Sequence, residues 1–367
     1  MRICFYNVTA SFIPGGLETY CWELGRSLAL RGHHVTIMAG NRGGARYPEV
    51  ELLGFPFRIE TSWPNLGTRF RRLMERLSFA RHSLGALVQG GYDAVIVNKP
   101  FDFPILYRAR QSGLRAKTLF RSGGTDFFLA DRLFANAIQY WVSSSRYNAR
   151  QIEDRYRRHV EVIHNGVDVE RFVHASRAAG RRQALGLPEG AFVVASVGRL
   201  VGWKGLRTVI EVLAGLPERI HYLVVGEGPD RAALEAQVAD FGLQARVHFA
   251  GRIAHNELPG VLSQCDALVQ PSIGEEAFGI SVVEAMACGL PALVSDQGGL
   301  PEIVVDGECG RLLAPGGVAS WRKAIAALAD DAPLAARLGS AARERVVREF
   351  TWTANAARHE ALLFGGG

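Results

Sequence analysis

The sequence predicts an α/β protein of two Rossmann-like domains, each a doubly wound parallel sheet, facing a central cleft. Three observations carry this expectation. The 367 residues exceed what one hydrophobic core usually organises. Short continuous apolar runs alternate with amphipathic segments, as in parallel strands buried on both faces and joined by crossover helices. The alternation pauses over a polar, Arg-rich stretch, 168–189, and restarts near residue 190, so that stretch reads as a linker.

The strands expected in the first half are 2–7, 35–39, 94–98, 117–120, 140–143 and 160–164. Those in the second half are 192–197, 222–225, 247–249, 267–270, 292–294 and 311–313. The domains follow as 1–172 and 173–348, with a C-terminal helix and tail, 349–367, packing back on the first domain. Ligands of such sheets bind beyond the carboxyl ends of the strands, so the chemistry is expected in the cleft.

Composition narrows the class. With 48% apolar and 21% charged residues the chain is globular rather than disordered. No run reaches the roughly 18 to 20 apolar residues of a spanning helix, and the first dozen residues are too broken for a signal peptide, so a cytoplasmic protein is expected. The five cysteines are odd in number and form no C-x-x-C pair, which argues against a disulfide framework or a zinc site and for core thiols. The net charge of +6 is uneven. Residues 1–172 hold 24 Lys and Arg against 15 Asp and Glu, and the remainder 18 against 21. The first half is therefore expected to meet something anionic. Basic residues are nowhere interleaved with aromatics, which sets nucleic acid aside.

Three segments carry chemistry. Gly15 and Gly16 follow the first strand and open a helix that Gly32 ends. They suit close approach of an anion to a helix N-terminus, or simply a tight turn. Arg199 and Lys204 lie in a Gly-bearing loop after the first strand of the second domain, placed to neutralise a diphosphate or to be solvated surface cations. The third segment is 270–289. Glu276 falls in a loop, Gly279 permits close backbone approach, and a helix follows that Gly289 and Pro291 terminate. Ser281 and Glu284 fit a capping box, while Glu284 also suits a ribose diol and Glu276 sugar hydroxyls.

Taken together, these stretches resemble the family 4 glycosyltransferases of the GT-B fold. The matching residues are Gly15-Gly16-Leu17-Glu18, the stretch 163–168, Val197-Gly198-Arg199 with Lys204-Gly205, 225–229, Glu276 to Glu284 in an E-x7-E arrangement, 298–302 and Gly310. The resemblance implies a metal-independent, cofactor-free hexosyltransferase. It would retain anomeric configuration and move a sugar from a nucleotide diphosphate sugar to a carbohydrate or lipid-linked acceptor, in surface polysaccharide or glycolipid biosynthesis. Arg199 and Lys204 would bind the diphosphate, with the Gly16 backbone opposite; Glu284 would hold the ribose and Glu276 the sugar. The backbone at Ala277, Phe278, Gly279 and Ile280 would touch the sugar, and Gly251-Arg252-Ile253 the base. The leaving phosphate would take the acceptor proton in a front-face transfer.

One departure stands out. Where many relatives carry His-Gly-x-Asp, this chain reads Arg121-Ser-Gly-Gly-Thr-Asp126, with Gly123 in place of the His. Asp126 is kept, either as a catalytic group orienting acceptor or sugar or as the N-cap of a helix beginning near Phe127. The missing imidazole leaves a second reading open, a non-catalytic nucleotide-sugar binder or partner subunit. An isomerase or phosphorylase lacks the Lys or His constellation it would need.

Residues 66–88 place Phe70, Leu73, Leu77, Leu84 and Leu87 at helical spacing, with Arg69, Arg71, Arg72, Arg76 and Arg81 mostly off that stripe. Such a helix either lies on an anionic membrane surface, making the protein peripheral at the inner face, or packs its stripe on its own domain.

Overall fold

A computed structural model describes residues 1–13, 15–174 and 180–365. The chain divides into two compact units, one formed by Met1–Asn165 with Trp352–Gly367 and the other by Gly166–Thr351.

The first unit is built on a seven-stranded sheet: β1 (Arg2–Tyr6), β2 (His34–Gly40), β3 (Glu51–Phe55), β4 (Ala94–Val97), β5 (Lys117–Ser122), β6 (Tyr140–Ser143) and β7 (Glu161–Val162), in the order β3-β2-β1-β4-β5-β6-β7. Every pairing is parallel. Its major helices are α1 (Gly16–Leu30), α2 (Thr68–Gln89), α3 (Phe103–Gln111) and α4 (Arg146–Tyr156). Alternate residues of β1 serve two cores. Cys4 and Tyr6 pack with Phe79 of α2 and Phe103 and Leu106 of α3, whereas Ile3 and Phe5 pack with Tyr20 and Leu24 of α1. That two-sided burial is why β1 reads as a continuous apolar run.

Four local expectations change. Edge strand β3 was not anticipated: its Leu52 and Leu53 are only half-buried, so it lacks the long apolar run of a central strand. In α2 the buried face is Glu75, Arg76, Phe79, Ala80, Ser83 and Leu87, while Leu77 of the expected stripe is exposed. Packing against α3 and the turn at 100–102 turns the helix toward its charged side. No helix begins at Phe127; the next helical turn is the 3-10 segment Asp131–Ala137, where Asp131 Oδ2 accepts from the Phe128 N–H at 3.0 Å. The N-cap reading of Asp126 is therefore withdrawn. Finally, the described part of 168–189 is no loose linker. Phe172 and Arg182 are fully buried in the second unit, and the Arg182 guanidinium donates to the carbonyls of Pro188, Glu189, Ala191 and Gln264.

The second unit carries six parallel strands, β8 (Phe192–Val197), β9 (Ile220–Val225), β10 (Val247–Gly251), β11 (Ala267–Gln270), β12 (Ala292–Ser295) and β13 (Gly310–Leu313), in the order β10-β9-β8-β11-β12-β13. Helices α5 (Arg181–Ala184), α6 (Leu206–Ala214), α7 (Arg231–Asp240), α8 (Leu258–Leu262), α9 (Ile280–Ala287), α10 (Val318–Asp330) and α11 (Ala332–Glu349) surround it. Val193, Ala195, Leu223 and Val225 face α9 and α11, and Val194, Tyr222 and Val224 face α6, α7 and α10. The last helix, α12 (Trp352–Phe364), belongs to the first unit, where Trp352, Ala356 and Leu363 join the core beside Tyr20.

Each sheet has a topological switch point, where strand order reverses direction: between β1 and β4 in one, between β8 and β11 in the other. The loops leaving those strands diverge and open a crevice at their carboxyl ends. All five cysteines are buried and none forms a disulfide. No described helix is long and apolar enough to cross a membrane.

Candidate active site

In the second unit the switch point brings together two loops, one after β8 and one after β11. They are locked to each other through the backbone. The Ile273 and Gly274 N–H groups both donate to the Trp203 carbonyl, at 2.9 and 3.0 Å. Gly205, at φ 68°, leads into α6, and a Cβ there would lie 2.0 Å from the Pro271 carbonyl oxygen, so only glycine fits. Lys204, just before it, reaches Glu276 on the opposite loop, Nζ to Oε2 2.5 Å. Gln270 Nε2, at 3.3 Å, also donates to that carboxylate. Arg199 leaves the same β8 loop exposed and makes no ion pair or hydrogen bond among the described residues. Two of the expected diphosphate and sugar contacts are thus in direct contact with each other, and the third is uncommitted.

The loop after β12 supports Glu276 from behind. Gly299 N–H donates to the Glu276 carbonyl at 2.8 Å, and Gly298, at φ 64°, sits so close that a Cβ would fall 2.3 Å from that oxygen. Beyond Glu276, Ala277, Phe278 and Gly279 lead into α9, which starts at Ile280 with Gly279 as an N-cap that offers no side chain. The first-turn N–H groups are therefore not capped by a side chain. The expected Ser281–Glu284 capping box does not form, because Ser281 already lies inside the helix.

Glu284 is instead a buried carboxylate on a helix whose other residues from Val282 to Ala287 are also buried. His255 satisfies it, Nε2 donating to Oε1 at 2.6 Å. His255 arrives on the segment that follows β10, two residues after Gly251-Arg252-Ile253, and packs against the Phe172 ring. The sequence reading placed 251–253 near the ligand but missed His255. An isolated His in a polar loop carries no signal, although its place directly after that segment was available.

In the first unit the switch point gathers a polar chain at the ends of β1 and β4. Asn7 Oδ1 accepts from the Thr9 hydroxyl at 2.9 Å, Asn7 Nδ2 donates to Cys21 Sγ, and Cys21 Sγ donates to Asn98 Oδ1 at 3.1 Å. Gly15 and Gly16 start α1 directly above it, with Glu18 bonded to Thr9 at 2.6 Å. Asp126 lies after β5. Arg72 Nη1 is 2.6 Å from both its carboxylate oxygens and Lys99 Nζ is 2.9 Å from Oδ2. Burial works to raise this carboxyl, but Lys99 and then Arg72 and Arg76 outweigh it and hold it below the usual carboxylate range. Arg76 itself is buried against Asp102 at 2.7 Å, so it and Arg72 belong to the first unit's own charge network and not to an outward-facing basic stripe.

No group of three or more His, Cys, Asp or Glu suited to a metal occurs among the described residues. The expected residues accordingly fall into two sets: Asp126, Gly15 and Gly16 in the first unit, and Arg199, Lys204, Gly251 to Ile253, Glu276 to Ile280 and Glu284 in the second.

Comparison with known proteins follows the same division. A family model for glycosyl transferases group 1 matches residues 180–345, and one for glycosyltransferase family 4 matches residues 14–171. A 2-deoxystreptamine glucosyltransferase of Streptomyces kanamyceticus is 38% identical over 197 residues, 52% of this chain and 50% of the relative. The chain spans about half the length of the first such curated relatives. A GDP-mannose-dependent alpha-(1-6)-phosphatidylinositol monomannoside mannosyltransferase of Mycolicibacterium smegmatis is 27% identical over 98% of this chain and 97% of its own. Among solved structures, sucrose-phosphate synthase from Thermosynechococcus elongatus superposes with a TM-score of 0.84 at 24% identity over the whole of both chains. Anabaena HepE in complex with UDP and glucose gives 0.82 at 23% identity over 99% of each. With its two parallel-sheet units each claimed by one of the two family models, this chain belongs to the family 4 glycosyltransferases and has the GT-B fold.

Proposed function

We propose that the chain is a retaining glycosyltransferase that moves a hexose from a nucleoside diphosphate sugar to a carbohydrate or lipid-linked acceptor, in assembly of a surface polysaccharide or glycolipid. The observation that carries this reading is the Lys204–Glu276 contact beside an uncommitted Arg199 at the β8/β11 switch point. A cation pair there suits a diphosphate, whose charge grows as the sugar departs, so fixed cations stabilise the transition state more than the bound donor. On this reading Lys204 exchanges Glu276 for phosphate oxygen and frees the carboxylate for sugar hydroxyls. Glu284, oriented by His255, accepts from the ribose diol. The uncapped first turn of α9 faces the sugar or phosphate, and 251–253 borders the base.

The first unit takes the acceptor, with Asp126 orienting it or the sugar. The leaving phosphate receives the acceptor proton, so neither an imidazole at position 123 nor a metal is called for. HepE, a fold neighbour, holds UDP and glucose, in keeping with a nucleoside diphosphate donor. We further propose peripheral association with an anionic membrane at the inner face through α2 and the residues just before it, narrowed by its packing to Leu66, Arg69, Leu77 and Arg81, which are exposed.

The test is product formation with UDP-, GDP- and ADP-linked hexoses against a panel of glycan and glycolipid acceptors, in the presence of EDTA. Transfer with retained anomeric configuration supports the reading. Nucleotide binding without transfer to any acceptor favours the non-catalytic binder instead.

A further inference from the structure

Arg121, at the carboxyl end of β5, is 2% exposed, and its guanidinium makes no ion pair among the described residues. Nη2 donates to Asn165 Oδ1, the guanidinium lies 4.2 Å over the Tyr20 ring, and Nε has no partner. A buried charge is normally paired, because desolvation is costly without an opposite charge. Burial pulls the basicity of Arg121 down, against weaker opposing pulls from Tyr20 and Cys21.

None of the neighbouring groups supplies a negative charge. Burial raises Tyr20, and raises the Cys21 thiol to about 12, so both stay neutral. His359 of α12, bonded to the Tyr20 hydroxyl at 3.0 Å, is held neutral with a pKa of about 4 by burial, and Arg121 adds to that depression. Glu18 of α1 gives its carboxylate to the Thr9 hydroxyl and folds over Gly15.

The other end of the guanidinium points toward Gly123. A Cβ at that position would lie 2.9 Å from Nη1 and 2.4 Å from Leu17 Cδ2. Any side chain at 123 would press on the guanidinium and on Leu17, so glycine leaves the flexible Leu17 side chain as what an incoming anion displaces to reach Nη1.

We propose that Arg121 is the receptor for an anionic group, a phosphate or carboxylate carried by a substrate, which enters over Gly123. The ligand supplies the counter-charge that the fold omits. Asn165 and Tyr20 hold the guanidinium in place, and Gly123 with Gly124 lets the oxyanion reach Nη1. The assignment of that anion to a substrate rests on the glycosyltransferase reading; the binding itself does not.

The experiment is calorimetric titration of the full chain, carrying Arg199→Ala and Lys204→Ala to silence the second unit's cations, with inorganic phosphate and, in a separate arm, acetate. Saturable binding is expected in at least one arm, and its identity distinguishes phosphate from carboxylate. Arg121→Gln should weaken it roughly tenfold or more, the loss expected for a charge-assisted hydrogen bond. Gly123→Val should weaken it with Arg121 still present, which keeps the test valid if Arg121→Gln does not fold. No saturable binding in either arm, or binding unchanged by the folded variants, overturns the proposal. A failure of the transferase reading shows separately, as absence of product with every donor, and leaves these titrations unaltered.

Discussion

Lys204 Nζ and Glu276 Oε2, 72 residues apart in sequence, meet at 2.5 Å across the loops that leave β8 and β11. Each side chain is 13% exposed, so the contact is partly screened from water. Arg199, on the same loop as Lys204, is exposed and unpaired. The two cations therefore differ in what their loss costs the apoprotein.

Arg199→Ala is expected to cut kcat/KM for the donor roughly 100-fold, by analogy with loss of a single transition-state stabiliser, while leaving the melting temperature unchanged. Lys204→Ala should give a similar kinetic loss together with a lower melting temperature, since Glu276 loses its charged partner and keeps only the longer bond from Gln270. Steady-state kinetics beside thermal unfolding check both. Wild-type turnover in either variant removes that residue from the donor site.

For His255 the prediction separates orientation from folding. Its bond to Glu284 fixes the carboxylate that the proposed function gives to the ribose. His255→Ala should weaken nucleoside diphosphate binding about tenfold, in line with loss of a hydrogen bond to a charged group. His255→Gln, which keeps a donor near the same position, should recover most of it. Titration of both variants with UDP, GDP and ADP reads the effect. Equal weakening in the two would mean that His255 acts only by packing against Phe172.

Much of this was legible in the sequence, and for a definite reason. Central strands such as β1, β8 and β11 are buried on both faces, so they appear as unbroken apolar runs, whereas β3 at the sheet edge is half-buried and left no such mark. Arg199, Lys204, Glu276 and Glu284 were legible because they sit in glycine-bearing loops or first turns with fixed spacing. Partnerships between distant elements were not. The pairing of Arg76 with Asp102, of Arg72 and Lys99 with Asp126, and of His255 with Glu284 depends on how helices and loops come together in three dimensions. The orientation of α2 was misjudged for this reason: a buried ion pair rotated a charged residue inward that a hydrophobic stripe alone would place outside.

Asp126→Asn tests the clamp at the end of β5. The amide keeps the shape but gives up the charge that Lys99 and Arg72 surround. Turnover is expected to fall more than nucleotide affinity, because Asp126 belongs to the first unit and the proposed nucleotide residues to the second. Arg72→Gln supplies the control, removing one arm of the clamp while leaving the carboxylate. If turnover in both variants falls only in step with the fraction unfolded, Asp126 is structural and its catalytic role lapses.

Membrane association through α2 should now depend on a smaller set of residues. Co-sedimentation with vesicles containing phosphatidylglycerol is expected to weaken as salt rises, since the exposed cations act through screened charge. Arg69→Gln with Arg81→Gln should reduce it further without affecting the fold, because neither side chain is buried. Binding insensitive to salt and to this pair of substitutions would leave α2 as a packing helix.

The last prediction concerns acid stability and follows from His359. The ring is fully buried on α12, with Nδ1 3.0 Å from the Asn355 carbonyl oxygen and Nε2 3.0 Å from the Tyr20 hydroxyl. A carbonyl only accepts, so Nδ1 carries the proton and Nε2 accepts from Tyr20. A second proton on Nε2 would add charge beside Arg121 in a site without a carboxylate. Burial outweighs the opposing bond to Asn355 and, with smaller contributions from Arg121 and Arg358, lowers the pKa from 6.5 to about 4. Because the unfolded chain takes up this proton near pH 6.5 and the folded chain only near pH 4, the folded state binds fewer protons throughout that interval. Stability is therefore full above about pH 6.5 and is lost progressively as pH falls toward 4, by roughly 3 kcal/mol if the whole shift is realised. His359→Gln retains polar atoms near Tyr20 and Asn355 but has nothing to titrate. It should cost stability at pH 7, through poorer packing, yet show a smaller loss between pH 7 and pH 4.5 than the wild type. Urea unfolding at the two pH values, compared as a difference of differences, isolates this group from the carboxylates that titrate in the same range. An identical pH dependence in the two proteins would mean that His359 titrates alike in the folded and unfolded chain, and that burial does not hold it neutral in the fold.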